Sequence, residues 1–494
     1  MSTSTLAPTV SGTPARAELT AMFRLALPVV AVQVGLMLLG VVDTIMVGRL
    51  SAQALAGVAL GNLYWYQATI FGAGMLMALD PVVAQAIGAR DHRAVARAVQ
   101  RGMVLAALVT VLAAVLLLTA GPVLRALRQP ADAVPAAAAY ARACIPGLLP
   151  FFLFIVVRQS LQAMGRLRPI LSAIVIANVL NAGLNAWLIF GGLGVPPLGV
   201  VGAAWASSIG RWVMTLLLLR LAWPLVRSYL RPVRREAWRP RPLLRMLALG
   251  APIGLQQQLE SGAFALIALL MGGFGTVQVA AHQVAINLAS LTFMVPLGVA
   301  AAAAVRVGHA VGRDDADGAR RSARAALLIG TAFMGTSAVV FLVVPTALAR
   351  LYTPVPAVVA LAATLIPVAG VFQVFDGLQA VSAGVLRGAG DTRAPLYVNL
   401  LGFWALGTPV SVWLAYRTTL GPVGLWWGLV VGLVAVAAFL LLRIRYRFAG
   451  ELRRVVIDED ARHDYLHELA LDAPDDAPRP GAALASPARD RPQE

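Results

Sequence analysis

The sequence has no lysine, one cysteine and few acids, and these shortages exclude several classes of protein. A lone cysteine, Cys144, cannot form an intramolecular disulfide. Also absent are the GxxxxGKS/T loop that binds nucleotide phosphates, cysteine and histidine at zinc-ligand spacing, and the GxSxG elbow of hydrolases. We therefore expect neither an enzyme nor a protein that hydrolyses ATP by itself, and no cofactor.

Most of what remains is apolar. Of the 494 residues, 59% are hydrophobic and 13% are charged, which is too little polar surface for a soluble protein of this length. About 20 consecutive apolar residues cross a bilayer as a helix. Twelve such stretches predict an all-α membrane protein with twelve transmembrane helices: residues 22–47, 54–86, 97–120, 134–157, 168–190, 200–220, 246–270, 278–306, 325–349, 357–383, 395–416 and 422–442.

The net charge is +17, and all of the basic residues are arginines. These arginines concentrate in alternate predicted loops. Alternate loops carry 21 arginines and the opposite loops carry 5. Loops rich in basic residues stay in the cytoplasm. We therefore expect a multi-pass protein of the bacterial inner membrane with both termini cytoplasmic, and no nucleic-acid partner. We call the arginine-rich end of the helices the inner end.

The chain repeats itself. Pairs of identical residues recur 224 positions apart without a gap: Pro28 and Pro252, Ala56 and Ala280, Gly88 and Gly312. Each half holds an even number of helices, so the two halves enter the membrane in the same direction, as in transporters built from parallel repeats. The predicted organisation is a disordered N-terminus (1–20), an N-lobe (21–220), a basic linker (221–244), a C-lobe (245–447) and a disordered acidic tail (448–494).

One acid, Asp80, lies near the inner end of its apolar stretch, where we expect it to cap a kink or to meet an arginine of the adjacent loop. Three others lie in the interior of apolar stretches: Asp43, Glu260 and Asp376. An ionised acid at the bilayer centre is costly, so such residues are paired, face water, or bind ions and protons. A buried acid with a second acid nearby favours its neutral form, and it can release its proton when another cation arrives. We predict that all three couple cation flow to transport, with Na⁺ as a candidate ligand of Glu260 and Asp376. A permanently protonated structural acid is the alternative.

Several neutral residues are further candidates. Asn181 and Asn185 are one helical turn apart and share a face, and Ser207 follows on the next helix. Together they predict a polar site in the N-lobe, although hydrogen bonding between helices would use the same residues. Gln257 and Phe372, on the helices of Glu260 and Asp376, are candidate substrate contacts.

Long motifs follow one another along the chain: VDTIMVGRLS at 42–51, AHQVAIN at 281–287, and QVFD at 373–376 followed by LRGAGDTR at 386–393. In this order they resemble signatures of the multidrug and toxic compound extrusion (MATE) family. The resemblance covers residues 20–447. It implies a V-shaped pair of six-helix lobes that exports bulky, often cationic compounds against an inward flow of Na⁺ or H⁺.

The resemblance also implies roles for particular residues. Glu260 and Asp376 are similar to the cation-coupling acids of the NorM-like branch, and Asp43 matches the acid of the first helix. Asn181 and Ser207 resemble the N-lobe site of the other branch, with serine where threonine is usual. Asn185 stands where that branch has aspartate, which removes one formal negative charge.

These observations predict a monomeric secondary antiporter with alternating access, which exports cationic amphipathic drugs in exchange for H⁺ or Na⁺. Its partners would be small organic cations and the lipid bilayer. Two other functions share parts of this pattern. A lipid-linked saccharide flippase of the wider superfamily would favour a cationic cleft for phosphates, whereas the distinctive charges here are acidic. A channel would not need acids on separate bundles.

Overall fold

The computed structural model describes residues 15–192, 194 and 196–458. The chain divides into one unit that ends at Arg454 and a second unit from Val455 onward. All helices described below belong to the first unit. The predicted disorder of residues 1–14 and of 459–494 lies outside the described residues.

The predicted all-α membrane fold is confirmed. Eleven of the predicted spans are helices long and apolar enough to cross a membrane. The remaining one, Pro240–Gly272, is as long as the others and less apolar, since three glutamines and Glu260 occupy its middle. We number the twelve in chain order as spans 1–12: Ala15–Val47; Ala52–Leu76 with Leu79–Gly88; His92–Leu118; Val134–Ala143, Ile145–Gly147 and Leu148–Ala163; Arg168–Phe190; Gly199–Leu230; Pro240–Gly272; Thr276–Gly312; Ala316–Val343; Pro356–Gly388; Arg393–Asn399, Leu400–Gly407 and Thr408–Arg417; Pro422–Ala449. Short helices in the loops are Ala120–Ala126, Arg235–Trp238 and Pro345–Arg350.

Two predicted boundaries need correction. Span 1 begins at Ala15, inside the segment that was expected to be disordered. Span 6 continues to Leu230 and span 7 begins at Pro240, so residues 231–239 connect the halves in place of 221–244. Arg227 and Arg241, which fell in the predicted linker, lie instead on the helices of spans 6 and 7. Proline suits the first helical turn, because the N–H groups there have no partner within the helix.

Arg158 follows the predicted span 134–157 directly and was therefore expected in a loop. The helix Leu148–Ala163 continues through it. Its Nη1 donates a hydrogen bond to Gln33 Oε1 at 3.1 Å. Arginine has a long apolar stem, which lets it continue a helix beyond the point where the sequence stops being apolar.

The backbone confirms the parallel repeat at the turns that follow spans 2 and 8. Arg90 and Asp314, 224 residues apart, have positive φ angles of 59° and 56°. Each is followed by an aspartate that caps the next helix: Asp91 accepts from the Ala94 N–H at 2.8 Å, and Asp315 accepts from the Gly318 N–H at 2.6 Å. Spans 1–6 form the N half and spans 7–12 form the C half.

The two halves meet backbone to backbone at the inner end. A β-carbon on Gly88 would lie 2.3 Å from the His309 carbonyl oxygen, and one on Gly312 would lie 2.1 Å from the Gln85 carbonyl oxygen. Only glycine permits so close an approach. Gln85 and His309 are themselves 224 residues apart, so the contact is reciprocal between the halves.

Charged side chains join the halves at the same end. Arg387 Nε of span 10 lies 3.1 Å from Asp80 Oδ2 of span 2, and both side chains are almost fully buried. Arg306 of span 8 donates to both carboxylate oxygens of Glu18, at 2.9 and 2.7 Å. Asp80 was expected to cap a kink or meet a loop arginine; its partner belongs to the other half. The inner end is therefore closed.

Candidate functional site

Glu260, in the middle of span 7, receives two side-chain amides from the C half. Gln379 Nε2 of span 10 donates to Glu260 Oε2 at 3.0 Å, and Asn399 Nδ2 of span 11 donates to the same oxygen at 3.4 Å. Gln379 and Asn399 are buried. Three spans thus converge on one carboxylate.

Asp376 completes this cluster. It is buried on span 10, three residues before Gln379, and lies within electrostatic range of Glu260. Three oxygens here are shielded from solvent and have no hydrogen-bond partner: Asp376 Oδ1, Gln379 Oε1 and Asn399 Oδ1. Buried polar atoms in proteins are nearly always satisfied, so oxygens without a partner call for a ligand. We call Glu260, Asp376, Gln379 and Asn399 the C-half site.

The local backbone explains how span 11 reaches this site. Asn399 is the last residue before a stretch of π-helix, Leu400–Gly407, and such stretches occur frequently at functional sites. Within it, Trp404 Nε1 donates to the Leu259 carbonyl oxygen at 3.0 Å. This bond ties the π-helix to the turn of span 7 that carries Glu260.

The N half approaches the C-half site through span 2. Tyr66 lies within electrostatic range of Glu260 and its side chain is 48% exposed. On the next residue, Gln67 Oε1 accepts a hydrogen bond from Ser261 Oγ at 2.7 Å. Glu260 and Tyr66 therefore lie near each other, on spans of opposite halves.

The two candidate substrate contacts have different surroundings. Gln257 lies between the halves, where its Nε2 is 3.2 Å from Met77 Sδ. Phe372 is 1% exposed and packs edge-on against Phe264 and Trp426, with ring centroids 5.9 and 5.5 Å away. In this conformation Phe372 belongs to the C-half core, so its contact with substrate stays a prediction.

The polar residues of the N half also come together. Asp43 accepts hydrogen bonds on both oxygens, from Asn185 Nδ2 on Oδ1 and from Ser207 Oγ on Oδ2, the latter at 2.7 Å. Asn185 Nδ2 also donates to Asn181 Oδ1 at 3.1 Å. We call Asp43, Asn181, Asn185 and Ser207 the N-half site. Both carboxylate oxygens of Asp43 accept hydrogen bonds, whereas Asp376 Oδ1 has no partner.

Arg211 of span 6 adds a positive charge beside the N-half site. It lies one turn after Ser207 and within electrostatic range of Asp43. Its guanidinium carbon lies 4.0 Å from the centre of the Trp65 ring, and its Nη1 is shielded from solvent without a hydrogen-bond partner. Arg211 was not among the site residues predicted from the sequence.

The two sites do not follow the repeat. The residue 224 positions after Asp43 is Ile267, and the residue 224 positions before Glu260 is Leu36. The duplicated scaffold therefore carries a different site in each half. Among the residues that the structure describes, no group of three or more histidine, cysteine or acidic side chains could hold a metal ion.

The acids Glu260 and Asp376 were candidates from the sequence, and the amides that the structure brings to them were not. Gln379 lies three residues after Asp376, which places both on one helical face, and this spacing was the available signal. Asn399 had no such signal, because only the packing of span 11 against span 7 brings it to Glu260.

Comparison with known proteins gives one family. The MatE family model matches residues 28–187 and 252–413, that is, both halves. The structure is similar to that of the eukaryotic MATE transporter AtDTX14, with 22% identity, a TM-score of 0.80, and coverage of 88% of this chain and 98% of that one. It is also similar to an outward-facing multidrug resistance MATE transporter, with 22% identity, a TM-score of 0.78, and coverage of 89% and 99%. A transporter of the MOP superfamily from Pyrococcus furiosus, described as having a binding pocket of reversed polarity, matches with 22% identity, a TM-score of 0.79, and coverage of 89% and 99%.

Proposed function

Because this chain belongs to the MatE family, whose members are secondary transporters and not enzymes, we propose that it exports cationic amphipathic compounds in exchange for H⁺ or Na⁺. The exchange would take place at the C-half site by alternating access. The protein is a multi-pass membrane transporter with helices in two related halves. The substrate class and the coupling ion are the proposed part.

The observation that carries the proposal is the set of oxygens around Glu260. Asp376 Oδ1, Gln379 Oε1 and Asn399 Oδ1 are buried without partners beside a second carboxylate. Carboxylate and amide oxygens are the ligands that hard cations prefer, and two acids supply the negative charge. A Na⁺ ion fits this set of donors, and protons on the two acids would supply the missing donors equally well.

Competition between two cations follows from this arrangement. An ion or proton on Glu260 and Asp376 cancels the negative charge that attracts a cationic substrate. Linkage then requires the substrate to weaken ion binding by the same factor. Tyr66, exposed between the halves near Glu260, is suited to stack against an aromatic cation.

The orientation and setting are part of the same proposal. We place the arginine-rich ends and both termini in the cytoplasm of a bacterium, with the chain monomeric in the inner membrane. The closed inner end then makes this an outward-facing conformation, in which an ion reaches Glu260 from outside. Opening the inner end would admit substrate from the cytoplasm.

The test is ethidium efflux from proteoliposomes with either a pH gradient or a Na⁺ gradient imposed. Wild type should export ethidium under one of them, which names the ion. Glu260→Gln with Asp376→Asn should reduce the efflux to the level of protein-free vesicles, because neither acid of the C-half site can then carry the coupling charge. Asp317→Asn is the control, since Asp317 is an exposed acid paired with Arg320 in span 9.

Two results would contradict the proposal. One is efflux by the double variant at the wild-type rate under the same gradient. The other is an absence of wild-type efflux under both gradients. Fluorescent-lipid flipping and single-channel conductance would then distinguish a flippase from a channel.

A further inference from the structure

Arg211 changes the charge of the N-half site. The exchange proposed above takes place at the C-half site and gives Asp43, the acid of the N-half site, no role. Asp43 is the single acid of that site, because its neighbour Asn185, which donates a hydrogen bond to it, is a neutral amide. With Arg211 beside it, the formal charges of Asp43 and Arg211 cancel. A site without net negative charge has little Coulomb attraction for a further cation.

The geometry holds both charges in place. Asn185 and Ser207 donate to the two oxygens of Asp43, which fixes the carboxylate. Arg211 lies one helical turn beyond Ser207, and its guanidinium carbon lies 4.0 Å from the centre of the Trp65 ring. Stacking of this kind favours a positively charged group in a poorly solvated place. Arg211 is therefore held as a cation next to Asp43.

The two sites also differ in how many of their buried oxygens lack a hydrogen-bond partner. In the C-half site three oxygens are buried without partners, whereas in the N-half site only the amide oxygen Asn185 Oδ1 is in that position. Both oxygens of Asp43 already accept hydrogen bonds. A cation that entered the N-half site would find one neutral ligand free.

We propose that Arg211 is a built-in counter-ion that takes the place of a coupling cation at Asp43, so that the N-half site binds no Na⁺. Asp43 then holds spans 1, 5 and 6 together through Asn185 and Ser207, and ion exchange is confined to the C half. Asp43 was predicted to be a second coupling group; the positive charge of Arg211, within electrostatic range, assigns it a positioning role. The inference goes beyond the proposed antiport and depends on it only for the cation expected at Glu260.

The test is binding of radiolabelled Na⁺ to purified protein at fixed pH, in a Glu260→Gln, Asp376→Asn background that removes the C-half acids. Arg211→Met removes the charge and keeps the length of the side chain. It should create Na⁺ binding at least about tenfold tighter than in the background, a factor that corresponds to 1.4 kcal/mol. Adding Asp43→Asn should abolish the new binding. Arg211→Lys, which keeps the charge, should behave like the background.

Two outcomes would overturn the inference. In one, the background with Arg211 intact already binds Na⁺ in a way that Asp43→Asn removes. In the other, a folded Arg211→Met protein gains no binding; Arg211→Gln replaces it if the methionine variant is not monodisperse. The readout is ion binding and not efflux, so failure of the proposed antiport would leave this result interpretable.

Discussion

At the scale of residues, the two carboxamides of the C-half site matter as much as its acids. Gln379 donates to Glu260 through its nitrogen and carries a buried oxygen that has no hydrogen-bond partner. An uncharged side chain can thus hold a carboxylate in position and offer a ligand to an ion. The arrangement explains why amides occupy apolar helices, where they would otherwise be costly.

Gln379→Leu should weaken the response to the coupling ion. A hydrogen bond to a charged group contributes about 1.5–3 kcal/mol, so the ion concentration that gives half-maximal efflux should rise at least about tenfold. The measurement is ethidium efflux from proteoliposomes over a series of ion concentrations. Maximal efflux at saturating ion should change less than the half-maximal concentration.

Gln373 provides the matched control on the same helix. It is buried like Gln379, but it bonds to Thr292 at 2.6 Å and Ser337 at 2.9 Å. Gln373→Leu should lower thermal stability and leave the half-maximal ion concentration unchanged. An equal rise for both variants would mean that Gln379 acts only through the packing of span 10.

At the scale of elements, the contact between spans 2 and 8 sets how closely the halves approach. Gly312→Ala would place a β-carbon 2.1 Å from the Gln85 carbonyl oxygen, so spans 2 and 8 must separate by roughly 1 Å or more. We expect a population shift toward an open inner end. Spin labels at Arg166→Cys and Arg393→Cys, with Cys144 replaced by alanine, would report it as a longer distance by pulsed electron paramagnetic resonance.

Gly335→Ala is the control for this prediction. Gly335 lies on span 9, and a β-carbon there would have no neighbour within 4 Å. The label distance should therefore stay at the wild-type value. The same distance in Gly312→Ala as in wild type would show that spans 2 and 8 absorb the methyl group locally.

Elements were also the level at which the sequence was most informative. The apolar stretches predicted the spans, and the 224-residue offset predicted the repeat that Asp91 and Asp315 confirm by capping equivalent helices. Errors arose where arginines continue a helix beyond its apolar part, as in span 6. Asn399 and Arg211 could not be placed, because a sequence pattern gives the face of a helix and not the neighbour that the face meets.

At the scale of the whole molecule, the buried pair Asp80–Arg387 fastens the N half to the C half. Asp80→Asn would leave Arg387 as a buried charge without its acid, a change that costs about 3–5 kcal/mol in buried pairs. Separation of the halves exposes Arg387 to water and relieves this cost. We therefore expect a longer distance between the spin labels and a lower melting temperature.

Two variants bracket this expectation. Asp80→Asn with Arg387→Gln removes both charges of the pair, and its melting temperature should recover part of the loss, because Arg387 no longer remains as a buried ion. The recovery should be partial, since Arg158, the other arginine close to Asp80, keeps its charge. Asp317→Asn breaks an exposed pair within span 9 and should change neither readout. If Asp80→Asn melts like wild type, the pair does not hold the halves together.

The reciprocal contact at Gly88 and Gly312 has a consequence for the origin of the fold. Gly88 meets His309 while Gly312 meets Gln85, and Gly308 meets Ala84, its own counterpart in the repeat. This is the self-complementary pattern of an isologous interface, the kind that two identical subunits form about a twofold axis. Two separate chains, each consisting of one half, would enter the membrane in the same direction. Each would carry both faces of that contact. The fused protein thus retains the geometry of a symmetric dimer, while the different acids of its halves mark where the copies diverged.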